Sequence, residues 1–290
     1  MNQQAKSQSD QPAEDLETVR QCPPFIPKRF MRQLAIDDAA RWVALVTLLL
    51  CVVAAVATEW LALSERSLMA LVIFVAGLWV GISVLSARAA QQLPQISAML
   101  EVDHTTAEAA LARTLRRWPM QRSVRLLLYH RLAVLRHRQQ RYAEAAAVSQ
   151  ALLAVRLGQA GQVRPHLLLI LAESRLAIGD LVGTYQGLAD LHRARLSLVE
   201  VLQLLAVQTR YEIATGQERA ALDRIDRKIQ LIELMPMPQC GALHAMLAVA
   251  AQRCQQTQLA DWLRRRAELL CEPDQLQAYL SDRPATVDMA

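Results

Sequence analysis

Hydrophobic and polar positions divide the chain into two unequal parts. Two long apolar stretches, residues 42–58 and 67–86, lie close together near the N-terminus and contain no charged residue. After about residue 88, apolar residues recur at helical spacing among polar ones, and Leu, Ala, Arg and Gln predominate. These residues are good helix formers, so the pattern predicts an all-α chain.

The two apolar stretches are typical of membrane-spanning helices. A helix of about 20 apolar residues spans a hydrocarbon core of about 30 Å. The first stretch continues through residues 60–63, so only Ser64, Glu65 and Arg66 clearly separate it from the second. We therefore predict a two-helix transmembrane hairpin over residues 42–88, preceded by a disordered and juxtamembrane tail over residues 1–41. A pair of buried core helices is the alternative.

Basic residues predict the orientation of this hairpin. Four of them precede the first stretch: Lys28, Arg29, Arg32 and Arg41. Arg88 follows the second stretch, whereas the connecting loop contains Arg66 alone. The positive-inside rule then places both termini in the cytoplasm, as in an integral protein of the cytoplasmic membrane. Gly77 and Gly81 predict close helix packing within the hairpin, with homo-oligomerisation through the hairpin as the alternative.

Small residues recur through the rest of the chain with a period near 38. They are Ala107, Ala145, Thr184, Ala221 and Ala260, which stand 38, 39, 37 and 39 residues apart. Further small residues, Ala133, Ala172 and Ala248, occupy positions where two helices of one unit are expected to cross. A repeat with two helices per unit predicts an α-solenoid of about four to five helix pairs over residues 89–275, followed by a C-terminal tail over residues 276–290.

Two of these units carry a similar set of small, apolar and turn residues. The sets are Leu132, Ala133, Tyr142, Ala145 and Leu152, and then Leu171, Ala172, Gly179, Asp180 and Leu188. They resemble the tetratricopeptide repeat (TPR), over about residues 91–274. The order of two apolar spans followed by such repeats also resembles the bacterial inner-membrane HemY-type proteins, on layout alone.

The TPR resemblance implies a concave groove that holds an extended peptide or a helix of a partner protein. The inner face of the first helices would carry His130, Val134, His137, Arg138, Glu173, Arg210, Val249 and Arg253. Among these, Arg138, Arg210 and Arg253 are candidates for binding a carboxylate of the partner, because a guanidinium group can bond a carboxylate through two donors. Solvent-facing arginines without such a role are the alternative.

Positive charge is concentrated next to the predicted hairpin. The formal net charge is +5, and residues 113–141 contain nine arginines without an acidic residue. A solvated helical face is one interpretation. The other is contact with anionic lipid headgroups, for which the candidates are Arg113, Arg116, Arg117, Arg122 and Arg125. A nucleic-acid partner is not expected, because this segment lacks interleaved aromatic residues.

The sequence contains no recognisable catalytic motif, so no catalytic residue and no cofactor are predicted. Cys240 and His244 are four residues apart, and with Cys254 from a neighbouring helix they would form a three-ligand metal site. Buried apolar cysteines are the favoured interpretation. We therefore predict a non-catalytic, membrane-anchored scaffold that binds a protein partner. The alternatives are an accessory subunit of a larger membrane or transport complex, and an enzyme or metal-binding protein.

Overall fold

The structure, a computed structural model, describes residues 25–56, 65–116 and 122–273. Within these ranges the chain forms twelve α-helices and one 3-10 helix, and it has no β-strand. The prediction of a helical chain is therefore confirmed for the described residues. The helices belong to two units, which we call the N-terminal unit (Met1–Gln139 with Ala154–Gly161) and the C-terminal unit (Gln140–Leu153 with Gln162–Ala290).

The N-terminal unit is built around a long second helix. Its helices are α1 (Pro27–Val56), α2 (Glu65–Val102), α3 (His104–Arg116) and α4 (Arg122–Arg138), and α2 packs against the other three. Ile96 and Leu100 of α2 are buried. The first turns of α1 pack against α4, where the Phe30 ring lies 4.7 Å from that of Tyr129. Residues 27–41 of the predicted tail are thus helical.

No helix among the described residues is both long enough and apolar enough to cross a membrane. This finding contradicts the predicted transmembrane hairpin over residues 42–88 and the predicted integral membrane localisation. Helix α1 begins at Pro27, fifteen residues before the apolar stretch, so the stretch belongs to a longer helix whose first turns are polar. The apolar stretch of α2 belongs to a longer helix whose polar continuation, residues 87–102, packs within the N-terminal unit. Residues 57–64 lie outside the described residues.

The C-terminal unit is a succession of helices that pack on their neighbours in the chain. A 3-10 helix (Gly158–Val163) separates the first two of them. The α-helices are α5 (Tyr142–Leu153), α6 (Arg164–Ala177), α7 (Leu181–Arg193), α8 (Leu198–Ala214), α9 (Glu218–Leu222), α10 (Ile225–Ile232), α11 (Met237–Arg253) and α12 (Thr257–Leu270). Helix α6 packs against α5, α7 and α8, and α11 packs against α8, α9 and α12. This arrangement is consistent with the predicted solenoid of helix pairs.

The recurring small residues lie where helices of the C-terminal unit approach each other. Ala145, Thr184, Ala221 and Ala260 are all buried, and each lies in the first four residues of its helix. At the crossing of α6 and α7, a Cβ added to Gly187 would lie 3.2 Å from the Cβ of Ala172. A larger side chain there would force the helices apart. The recurring small residues therefore mark positions where two helices lie in close contact.

Local signals set the boundaries of these helices. Gly179 adopts a φ of +80° after α6, a left-handed conformation that glycine adopts without a steric penalty. The carboxylate of Asp180 then accepts a 2.8 Å hydrogen bond from the amide of Gly183 in the first turn of α7. Ser197 and Glu200 form a capping box at the start of α8. The turn residues Gly179 and Asp180 of the predicted repeat therefore separate α6 from α7.

The helical segment that follows α8 is broken into α9 and α10. The break occurs at Arg224, which adopts φ 50° and ψ 42°, an unusual conformation for a residue with a side chain. From α10, the Lys228 ammonium group donates hydrogen bonds to the carbonyl oxygens of Ala220 and Ala221, at 3.0 and 2.8 Å. A cation thereby lies against the carbonyl groups at the C-terminal end of α9, where the helix dipole favours positive charge.

Candidate partner-binding surface

An ion pair between Glu173 and Arg210 connects two helices that pack side by side in the C-terminal unit. Glu173 lies on α6 and Arg210 on α8, and an Arg210 Nη1 donates to Glu173 Oε1 at 3.2 Å. Both side chains are about one-third exposed. A guanidinium group has five N–H donors, so a partner carboxylate can still approach Arg210 from the solvent side. Of the predicted groove residues, the structure brings these two into direct contact.

A second ion pair, between Glu218 and Arg253, connects α9 with α11. Arg253 Nη1 donates to Glu218 Oε1 at 2.8 Å. This hydrogen bond lowers the pKa of the Glu218 carboxyl group, so the pair is ionised at neutral pH. Val249 lies one turn before Arg253 on α11, on the same side of the helix, and is half-buried. The predicted arginines of this unit are therefore already paired with carboxylates of the same chain.

The other predicted groove residues belong to α4 of the N-terminal unit. His130 is buried, whereas Val134 and His137 are half-buried. Arg138 is exposed, and its guanidinium group donates to the carbonyl oxygen of Leu100 near the end of α2. His130 accordingly offers almost no surface to a partner. A groove that includes both sets of residues stays a prediction.

The arginines predicted to contact lipid differ in their surroundings. Arg113 and Arg116 on α3 are exposed, and Arg117 lies outside the described residues. Arg122 donates to the carbonyl oxygen of residue 156 at 3.0 Å, and Arg125 is buried and donates to the carbonyl oxygen of residue 33 at 3.4 Å. Burial therefore removes Arg125 from any surface, and the role of the others stays a prediction.

The two glycines predicted to mediate helix packing lie on an exposed part of α2. A Cβ added to Gly77 or Gly81 would meet nothing within 4 Å among the described residues. Exposed apolar side chains such as Ile73 and Phe74 lie on the same helix. Among the described residues nothing contacts these two positions, and a role for them in helix packing stays a prediction.

A cavity of about 310 Å³ lies between α8, α9 and α10, and it was not predicted from the sequence. Glu212 and Lys228 form an ion pair of 3.4 Å at its wall, and Arg224 and Arg227 also line it. The break at Arg224 creates this cavity by separating α9 from α10. The left-handed backbone conformation of Arg224 does not alter the pattern of hydrophobic positions, so the sequence contained no signal for the break or for the cavity.

The residues proposed as metal ligands do not come together. Cys240 and His244 are both buried and lie one turn apart on α11. Cys254 directly follows the same helix, and ten residues place it about 15 Å from His244 along the axis. Among the described residues, no group of three or more His, Cys, Asp or Glu side chains is arranged to hold a metal ion. Instead of Cys254, the residue adjacent to this part of α11 is Cys271.

No protein-family model, no curated protein and no solved structure matches this chain. The resemblance to the TPR family therefore stays a prediction. What the structure does establish is helical architecture with paired charges between neighbouring helices of the C-terminal unit.

Proposed function

We propose that this chain is a non-catalytic scaffold that binds a partner protein through the C-terminal unit. The observation that supports the proposal best is the partly exposed pair of Glu173 and Arg210, held between the neighbouring helices α6 and α8. The helices fix the position of the guanidinium group, while part of it stays accessible to a partner. An extended peptide or a helix with an acidic side chain is the class of partner that suits this surface.

Binding would place a carboxylate of the partner against Arg210, which is already paired with the carboxylate of Glu173. An exposed ion pair contributes only about 0.2–1 kcal/mol to stability, so the partner can also displace the internal carboxylate at little cost. Bidentate hydrogen bonds from guanidinium to carboxylate would then orient the partner. Arg253 on α11, paired with Glu218, provides a second position of the same kind.

The test is affinity purification of the full-length protein from native cell extract, with bound proteins identified by mass spectrometry. We expect Arg210→Glu to lose its specific partner, and Arg253→Glu to bind it less. The exchange variant Glu173→Arg/Arg210→Glu keeps an ion pair between α6 and α8 but reverses its direction. It is expected to lose the partner as well, because the cation moves to the other helix.

The matched control is Arg193→Glu, which reverses the charge of an exposed arginine on α7. This variant should retain the partner. Helix content measured by circular dichroism shows that each variant is folded. Full binding by Arg210→Glu would contradict the proposal. Restored binding by the exchange variant would indicate that the ion pair matters for stability and not for contact with the partner.

A further inference from the structure

His244 occupies an unusual environment in the interior of the C-terminal unit. It lies on α11, is 0% exposed, and has no hydrogen-bond partner at either ring nitrogen among the described residues. Burial of a polar group without a partner is unfavourable, and buried polar groups in proteins are paired in most cases. The two unpaired nitrogens are therefore a feature that the packing of α11 does not explain.

Helix α12 and the end of α10 enclose this histidine. The Trp262 ring meets the imidazole edge-on, with 6.1 Å between the ring centroids. Arg266 lies over the same tryptophan, 5.8 Å from its centroid, and its guanidinium group pairs with Glu233 at the end of α10. Trp262 itself is 45% exposed. His244 is thus buried against an aromatic side chain of α12 that is itself partly exposed to solvent.

The groups around His244 favour its neutral form. Burial lowers the pKa of His244, and the positive charge of Arg266 lowers it further, whereas Glu233 has the opposite and weaker effect. The other titratable groups nearby are the thiols of Cys240 and Cys271, and burial raises the pKa of both, so they carry no charge that could stabilise an imidazolium. Protonation therefore requires access to water, which Trp262 and α12 prevent in the packed state.

We propose that His244 is a pH-sensitive switch, in which protonation of the imidazole releases α12 from α11. The packed state contains neutral His244 beneath Trp262. Once α12 moves away, the imidazole is hydrated and accepts a proton, and the resulting imidazolium cannot return to its site beside Arg266. This regulation is independent of the partner-binding function proposed above.

The pH range follows from the direction of the pKa shift. A histidine exposed by opening has a pKa near 6.5, whereas the packed state binds a proton only at lower pH. The open state consequently binds more protons, and packing weakens as the pH falls below about 6.5. The opening equilibrium constant rises by up to about tenfold between pH 7.5 and pH 5.5, the factor for an open-state pKa near 6.5 and a packed state that stays neutral.

Hydrogen exchange of the full-length protein, detected by mass spectrometry, tests the proposal. Protection factors corrected for the intrinsic pH dependence of exchange are measured at pH 7.5 and pH 5.5. We expect protection of α12 to fall about tenfold, with α6 of the same unit as an internal reference. His244→Leu replaces the imidazole by an apolar group of similar volume and should remove this pH dependence. His192→Leu, at an exposed position on α7, should behave as the wild type.

Unchanged protection of α12 in the wild type, or an equal fall in His244→Leu, would overturn the proposal. If His244→Leu does not fold, His244→Phe takes its place. A second measurement on the wild type uses the imidazole Cε1–H resonances, and the missing signal of the variant assigns His244. A shift of that signal with an apparent pKa of 6.5 or above would also overturn the proposal, because the switch requires a neutral histidine in the packed state.

Discussion

Arg136→Met removes the cation from a buried polar cluster of the N-terminal unit. In this cluster Arg136 Nη1 lies 3.0 Å from Glu108 Oε1 and donates to Gln139 Oε1 at 2.7 Å. Gln139 Nε2 in turn donates to Glu108 Oε2 at 2.8 Å. The side chains of Arg136 and Glu108 are only 2% and 12% exposed. The substitution preserves the aliphatic volume but removes the guanidinium group that pairs with the Glu108 carboxylate.

The expected cost is about 3–5 kcal/mol, the range observed when one partner of a buried ion pair is removed. A change of 1 kcal/mol shifts the midpoint of thermal unfolding by about 2–4 °C for a chain of this size class, so the midpoint should fall by about 10 °C. The double variant Glu108→Gln/Arg136→Met removes both charges. It should be at least about 2 kcal/mol more stable than the single variant, because both charges of the buried pair are removed together.

Chemical denaturation followed by circular dichroism measures these differences, with the four proteins of the double-mutant cycle compared at one pH. Arg116→Met is the matched control, since Arg116 is exposed on α3 and should change stability by less than about 0.5 kcal/mol. The reasoning is refuted if Arg136→Met costs less than about 1 kcal/mol. It is also refuted if the effects of the two single substitutions simply add, since the cluster would then not act as a pair.

Two further predictions concern single residues at helix boundaries. Arg224→Gly should raise the free energy of unfolding by about 0.5–1 kcal/mol, because glycine adopts the left-handed conformation of Arg224 without steric cost. Arg224→Ala keeps the Cβ and should show no gain in stability. Equal denaturant midpoints for the two variants would exclude this explanation. The hydroxyl of Thr106 and the hydroxyl and amide of Thr105 hold the pKa of Asp103 at about 2. The carboxylate of Asp103 stabilises the start of α3 only when it is ionised. The stability difference between the wild type and Asp103→Asn should therefore be constant above about pH 5 and shrink as the pH falls from there toward 2. A difference independent of pH would contradict the assignment.

The sequence predicted the helix contacts of the C-terminal unit at particular residues. Ala172, placed at a helix crossing from the repeat alone, is the residue that Gly187 approaches most closely. Thr184 and Ala260 are buried as their spacing required. Small side chains are necessary wherever two helix axes come close, so their recurrence is visible along the chain before any fold is known.

The same kind of pattern led to a wrong prediction for residues 42–88. Hydropathy describes the composition of a segment, but not where the helix that contains it begins or what its ends contact. Helix α1 starts fifteen residues before the apolar stretch, and Phe30 and Leu34 in its first turns are buried. Helix α2 continues beyond its own apolar stretch and buries Ile96 and Leu100. These contacts involve distant parts of the chain and have no local signature.

The candidate binding surface was predicted only in part. The positive charge of Arg210 and Arg253 is evident from the sequence, and their position on first helices followed from the repeat. Their carboxylate partners, Glu173 and Glu218, stand 37 and 35 residues away and become neighbours only when helices pack. For the same reason the sequence did not distinguish Arg136 from the other arginines of residues 113–141, although its charge is paired with Glu108 in the interior.

By itself, the sequence determined that the chain is helical and where small residues must let helices approach, because both depend on the spacing of side chains along one helix. The tertiary structure decided which charged side chains are paired, where α9 and α10 separate, and that the imidazole of His244 is buried without a hydrogen-bond partner among the described residues. Those features depend on groups that lie on different helices and far apart in sequence, and these groups come into contact only when the helices pack. Helical periodicity is thus a local property, whereas ionisation and access to solvent are properties of the packed chain.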